Sequence, residues 1–270
     1  MTQCAPSVSD SSFTCFTYKQ LRSIAENFNK SSDEKVQISK IKNVLWNNIY
    51  KRMDYDCKKE LCWANNNKLL QRFRPSRPVE WYSNPREWLS NFDIQKVMVQ
   101  YEKKYRTFKF LGVFPDDYDH KILMNTCVAE ELCKLDLIDL LKDNKYQLGI
   151  VFNTDPHYLG GSHWVAVYVN IQKNSDKYGF YYYDSNAQKP SKYIIKLFNQ
   201  IKSQLNKEKV RKEFKMNINN NKHQFKNTEC GMFSMHFIIN MLKQKNTFKM
   251  VCNSNISDDE VFKLRNKYFN

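Results

Sequence analysis

No apolar run in the 270 residues reaches the ~18 that a membrane-spanning helix needs, so no membrane partner is expected. The first residues, MTQCAPSVSDSSF, contain neither a basic segment nor an apolar one and do not read as a signal peptide. There is no internal repeat. Eight cysteines lack regular spacing, which predicts free thiols in a reducing compartment rather than a disulfide framework. Cys57 with Cys62, and Cys127 with Cys133, are too loosely paired for a zinc knuckle, so no metal is expected. No RNA-recognition, zinc-finger or helix-turn-helix signature is present, and no loop built to cradle phosphate.

What is present is a foldable composition. Hydrophobic residues make up 41% and aromatics 14%, enough for one good-sized core plus a small second unit. The net charge is +15 and the isoelectric point about 9.3. Such a charge attracts nucleic acid or an acidic partner, or else it is a solvated, lysine-rich surface. Without a recognition signature the second reading is preferred.

Residues 1–16 read as a serine-rich start. Leu21, Ile24 and Phe28 then share one helical face. Ser31 with Glu34 forms an expected capping box before Ile38, Ile41, Leu45 and Ile49, and Leu61, Leu69, Leu70 and Phe73 make a weaker third helix. The prolines of RFRPSRP, residues 72–78, stop any helix there. From about residue 85 the texture changes. LGIVFNT (148–154), HWVAVYVNI (163–171), YGFYYYDS (178–185) and EFKMNIN (213–219) read as strands. Pro190 and Ser191 open a helix carrying Ile194 to Leu205, CGMFSMHFIINMLK (230–243) is an apolar helix, and Ser257 with Glu260 caps a last one through Tyr268. Strands followed by helices, without strict alternation, predict an α+β core over 85–270 behind a helical arm over 1–84.

Nucleophilic thiol chemistry needs a thiolate, a base, a group holding that base, and donors for the oxyanion. Cys230 begins a helix and precedes Gly231, where unpaired N–H groups and the helix dipole favour an anion. Taken alone, a buried apolar cysteine opening a core helix is the preferred reading. His163 opens a strand after Gly160, Gly161 and Ser162, and Asp184 ends the next. If those strands are antiparallel neighbours, the carboxylate can orient the imidazole. Read singly, His163 is a structural histidine and Asp184 a turn aspartate; Asn186 is a rival for the same role. Gln224, six residues before Cys230, offers an amide donor to an oxyanion, or is a loop glutamine.

Together, His-Trp, then Tyr-Asp-Ser, then Gln-x5-Cys-Gly resemble the SUMO proteases and the related adenovirus endopeptidase. NTDPHYLGGSHWVAVYVNI, YYYDSNAQ and HQFKNTECGMFS most resemble the polyprotein-processing proteases of African swine fever virus and its large-DNA-virus relatives, over roughly residues 88–245. The swine fever enzyme carries Asn where this chain has Asp184. The resemblance implies a SUMO-protease-like core, a central mixed sheet flanked by helices, with His163, Asp184, Gln224 and Cys230 catalytic. It also implies that Trp164, and Trp88 with Asn91 in WLSNFDI, line a slot for a Gly-Gly tail, with Gly231 close by.

The implied activity is cysteine endopeptidase cleavage after Gly-Gly, processing viral polyproteins or structural proteins during virion maturation. Deconjugation of SUMO or ubiquitin-like proteins is the alternative. An acetyltransferase of the same clan, or an inactive basic virion scaffold, fits less well. The implied partner is a protein bearing Gly-Gly-x sites; nucleic acid is a further partner through the basic surface. No metal or organic cofactor is required, and the analogy with the adenovirus enzyme makes DNA a candidate activator. The implied location is the virion and the viral factory of the host cytoplasm.

Overall fold

The computed structural model describes residues 4–8, 13–205 and 213–270, so part of the serine-rich start lies outside it. The chain forms two compact units, Met1–Ser76 with Lys267–Asn270, and Arg77–Asn266.

The first unit is helical. Thr17 and Gln20 cap the helix Tyr18–Ser31 reciprocally, and its Leu21, Ile24 and Ala25 face inward. The expected box at Ser31 and Glu34 does not form. Ser31 closes the first helix, Glu34 instead pairs with Arg52, and the second helix, Lys42–Arg52, begins after Ile41 with no side-chain cap. Leu45 and Ile49 of that helix join Phe16, Trp63 and Phe73 in a shared core.

The second unit is built on a five-stranded mixed sheet in the order β1-β2-β3-β4-β5. The strands are β1 (Phe108–Pro115), β2 (Gln147–Asn153), β3 (Trp164–Asn170), β4 (Gly179–Tyr183) and β5 (Met216–Ile218). The pairs β2–β3 and β3–β4 are antiparallel, while β1–β2 and β4–β5 are parallel. β1 is not legible in the sequence because Gly112 and Pro115 interrupt its pattern. In the structure Gly112 sits at a register shift, at φ 144°, and Pro115 ends the strand at the sheet edge.

Every residue of β3 is buried, because helices cover both of its faces. On one face Val165, Val167 and Val169 pack with Ile194, Leu197 and Ile201 of the helix Lys192–Leu205. On the other lies the apolar helix Cys230–Leu242, where Phe237 stacks on Tyr183 at 4.7 Å. The last expected helix is broken into Asp258–Lys263, with the Ser257–Glu260 box in place, and Arg265–Tyr268.

The expectation of free thiols holds only for Cys230 and Cys252. Cys4–Cys15, Cys57–Cys62 and Cys127–Cys133 are disulfides. Irregular spacing concealed them because each closes a short local loop, with Cα atoms 5.2, 5.4 and 6.5 Å apart. Among the described residues no helix is long and apolar enough to cross a membrane, and no cluster of His, Cys, Asp or Glu is placed to hold a metal ion.

Candidate active site

Strand pairing assembles the centre of the site. β3 and β4 run antiparallel with Ala166 opposite Tyr183, so the residues just outside this pairing approach each other. His163 precedes β3, Asp184 follows β4, and His163 Nε2 lies 2.7 Å from Asp184 Oδ1. Asp184 is fully buried, and the Asn219 side-chain amide donates to its carbonyl at 2.9 Å. With Nε2 engaged, Nδ1 is the ring nitrogen left for a thiol.

That thiol is Cys230, buried at the first position of its helix. The helix is locked onto β3, with Ser234 Oγ donating to the Trp164 carbonyl at 3.1 Å. Burial works against charge on His163. Hydrogen bonds to Asp184 and Cys230, and the negative charge of both partners, outweigh it and raise the imidazole pKa to about 9. The imidazole is therefore held protonated at neutral pH, beside the Cys230 thiol at the first position of its helix.

Asn186 does not take the place of Asp184. Its side-chain nitrogen is 3.5 Å from His163 Nε2, and it is a donor facing a nitrogen whose proton points to Asp184. Its backbone N–H instead donates to Asp184 Oδ1 at 2.7 Å, fixing the carboxylate.

Gln224 is buried, and its Oε1 accepts from Ser185 Oγ at 2.7 Å. Its Nε2 makes no hydrogen bond among the described residues. Gln224 lines a cleft of about 290 Å³ together with Trp88, His163 and Asn186. The neighbouring His223 is structural. Burial lowers its pKa, Nε2–H donates to the Cys252 carbonyl, and Nδ1 accepts from Tyr183 at 2.7 Å.

Trp88 also belongs to a second cavity of about 640 Å³, which Trp164, Asn91 and Gly161 help to line. The two tryptophans thus border one space, and Trp88 also lines the cleft at His163. Trp164 is positioned by Nε1–H donating to the Leu89 carbonyl at 3.2 Å. Asn91 opens the helix Asn91–Lys104, which Ser90 and Asp93 cap reciprocally. Gly231 lines neither cavity. A Cβ there would meet Trp164 Cδ1 at 3.2 Å and Leu89 Cδ1 at 3.3 Å, so the glycine lets the nucleophile helix approach Trp164.

Sequence reasoning missed Glu229 and Arg265. Glu229, fully buried beside Cys230, is held by the buried Arg265 guanidinium at 3.0 Å. No local pattern pairs positions 36 apart, and only the fold reveals the contact.

Residues 134–270 match the Ulp1 protease family, C-terminal catalytic domain. Over 201 residues the chain is 36% identical to a protein of Acanthamoeba polyphaga mimivirus designated a thiol protease, matching 74% of this chain and 61% of that protein. The chain thus spans about three-fifths of that relative's length. It is 25% identical over 195 residues to the SUMO-1 cysteine protease of African swine fever virus (isolate Pig/Kenya/KEN-50/1950), across 67% of each. The crystal structure of the African swine fever virus protease shares the fold, with a TM-score of 0.68 over 100% of this chain and 96% of that one, at 21% identity.

Proposed function

Because the chain belongs to the Ulp1 protease family, we propose that it is a cysteine endopeptidase cleaving after Gly-Gly, and that it matures viral polyproteins or structural proteins. The observation that carries this reading is the 2.7 Å contact of His163 with Asp184, with Cys230 on the imidazole's other side. The Cys230 thiolate attacks the glycyl carbonyl and forms the C–S bond. Gln224 Nε2 and the Cys230 backbone N–H hold the oxyanion. The His163 imidazolium protonates the amine as the C–N bond breaks. Neutral His163 then takes a proton from water, which attacks the thioester; the C–S bond breaks and the Cys230 thiolate and His163 imidazolium are restored. Trp88 and Trp164 border the cavity that receives the residues before the scissile bond, where flat indole faces favour glycines. The place of action is the virion and the viral factory in the host cytoplasm.

Removal of ubiquitin-like modifiers is the second reading. The swine fever virus relative is named a SUMO-1 protease, and the same site would hydrolyse an isopeptide after Gly-Gly. The test is incubation with Gly-Gly-x peptides and with a SUMO conjugate, products being identified by mass spectrometry. Cleavage after Gly-Gly and its loss in Cys230→Ala are expected. Wild-type turnover by Cys230→Ala would end the reading.

A further inference from the structure

Ser185 follows Asp184 and is itself buried, 1% exposed. β4 ends at Tyr183, and Ser185 sits in the turn that Ala187 N closes on the Asp184 carbonyl. Asp184 turns to His163, whereas Ser185 turns to Gln224. The contact is double. Ser185 Oγ donates to Gln224 Oε1 at 2.7 Å, and the Ser185 carbonyl accepts from Gln224 N at 3.0 Å. The same carbonyl accepts from His223 N at 2.8 Å, so the backbone of the Gln224 loop is held without the hydroxyl.

The hydroxyl therefore has a separate consequence. A glutamine amide has a donor end and an acceptor end of nearly the same shape. With Oε1 satisfied inside by Ser185, Nε2 is the end left for the cleft. We propose that Ser185 is a positioning residue that fixes the Gln224 amide with its donor toward the oxyanion. This rests on the reading of Gln224 as an oxyanion donor. Without the hydroxyl, Oε1 is left buried and unpaired, which is costly. Turning the amide over gives Oε1 to water in the cleft and places an acceptor where negative charge develops. The defect is confined to the transition state, because the carbonyl of bound substrate carries little charge before attack.

The test is a double-mutant cycle on the full chain, with a Gly-Gly peptide that the wild type cleaves. Gln224→Ala should lower kcat by about 10²–10³-fold. Ser185→Ala should lower kcat at least about tenfold, the size of one lost hydrogen bond, with KM unchanged. Placed in Gln224→Ala, Ser185→Ala should cost less than about twofold, because its effect passes through an amide that is gone. Alkylation of Cys230 by iodoacetamide, which forms no oxyanion, should keep its wild-type rate in Ser185→Ala. Three results would overturn the assignment of Ser185: unchanged kcat in Ser185→Ala, an equal proportional loss in the Gln224→Ala background, or slowed alkylation. Wild-type kcat in Gln224→Ala would instead remove the oxyanion reading on which it stands.

Discussion

Arg265 grips both carboxylate oxygens of Glu229, at 3.0 and 3.2 Å, immediately before Cys230, the proposed nucleophile. The guanidinium also donates to the carbonyls of Pro85 and Glu87, at 3.0 and 2.8 Å, and lies 4.2 Å from the Trp81 ring centroid. One side chain thus ties the segment entering Trp88 to the segment entering Cys230. Both charges are buried, so removing one leaves the other stranded. Breaking such a pair costs about 3–5 kcal/mol, more than the intact pair contributes. Arg265→Ala should therefore lower the melting temperature by about 10 °C. A calorimetric scan showing a shift under about 2 °C would mean that water or Arg86, 3.6 Å from Glu229, compensates.

The pH dependence follows from His163. Its folded pKa, about 9, lies above its ordinary value of 6.5. Its contacts with Asp184 and Cys230 therefore stabilise the fold fully below pH 6.5 and cease to do so as pH rises through about 9. In the proposed mechanism the same proton is delivered to the leaving amine, so kcat/KM should fall on the alkaline side near pH 9. Asp184→Asn removes the carboxylate charge and should move this limb to lower pH as well as reduce the rate. An unmoved limb in Asp184→Asn, measured over the full pH range, would assign it to another group.

The charge of +15 should not make DNA an activator. Some surface cations face acids, as in Lys134–Glu130, Lys142–Asp139 and Lys226–Asp259, and no recognition signature in the sequence gathers the remaining excess for nucleic acid. Peptide cleavage by the full chain should be equal with and without duplex DNA at low salt. Activation that disappears between about 50 and about 200 mM salt would show phosphate neutralisation with counterion release, and would give the charge a function.

The residues proposed as catalytic could be singled out because they sit at ends of strongly patterned segments. His163 opens an apolar strand, Asp184 closes an aromatic one, and Cys230 starts an apolar helix. Their approach then required only that β3 and β4 be antiparallel neighbours. Three kinds of feature were not legible. β1 was hidden by Gly112 and Pro115, which read as breakers but serve as a bulge and an edge terminus. The disulfides were hidden because local chain reversal, not cysteine spacing, brings the pairs together. Ser185, Glu229 and Arg265 were hidden because each matters through a partner 36 or 39 positions away.

Specificity should reside at Trp164. Its indole is fixed by the Leu89 carbonyl on one side and by the nucleophile helix at Gly231 on the other, so it cannot swing away from a bulkier substrate. A methyl on the residue before the scissile bond must then meet a ring that is held in place. Replacing that glycine by alanine in a Gly-Gly peptide should reduce kcat/KM by at least about 10²-fold, more than the one to two powers of ten that a methylene costs in a yielding apolar pocket. Trp164→Ala should narrow the gap between the two peptides while lowering turnover of both, because the ring also packs against the start of the Cys230 helix at Gly231. Gly231→Ala probes the same contact from the protein side. Its methyl would press on Trp164 and Leu89 at 3.2 and 3.3 Å, an overpacking that typically costs about 1–3 kcal/mol. Equal cleavage of the glycine and alanine peptides by the wild type would remove Trp164 as the selective element and leave the Cys230–His163–Asp184 chemistry untouched.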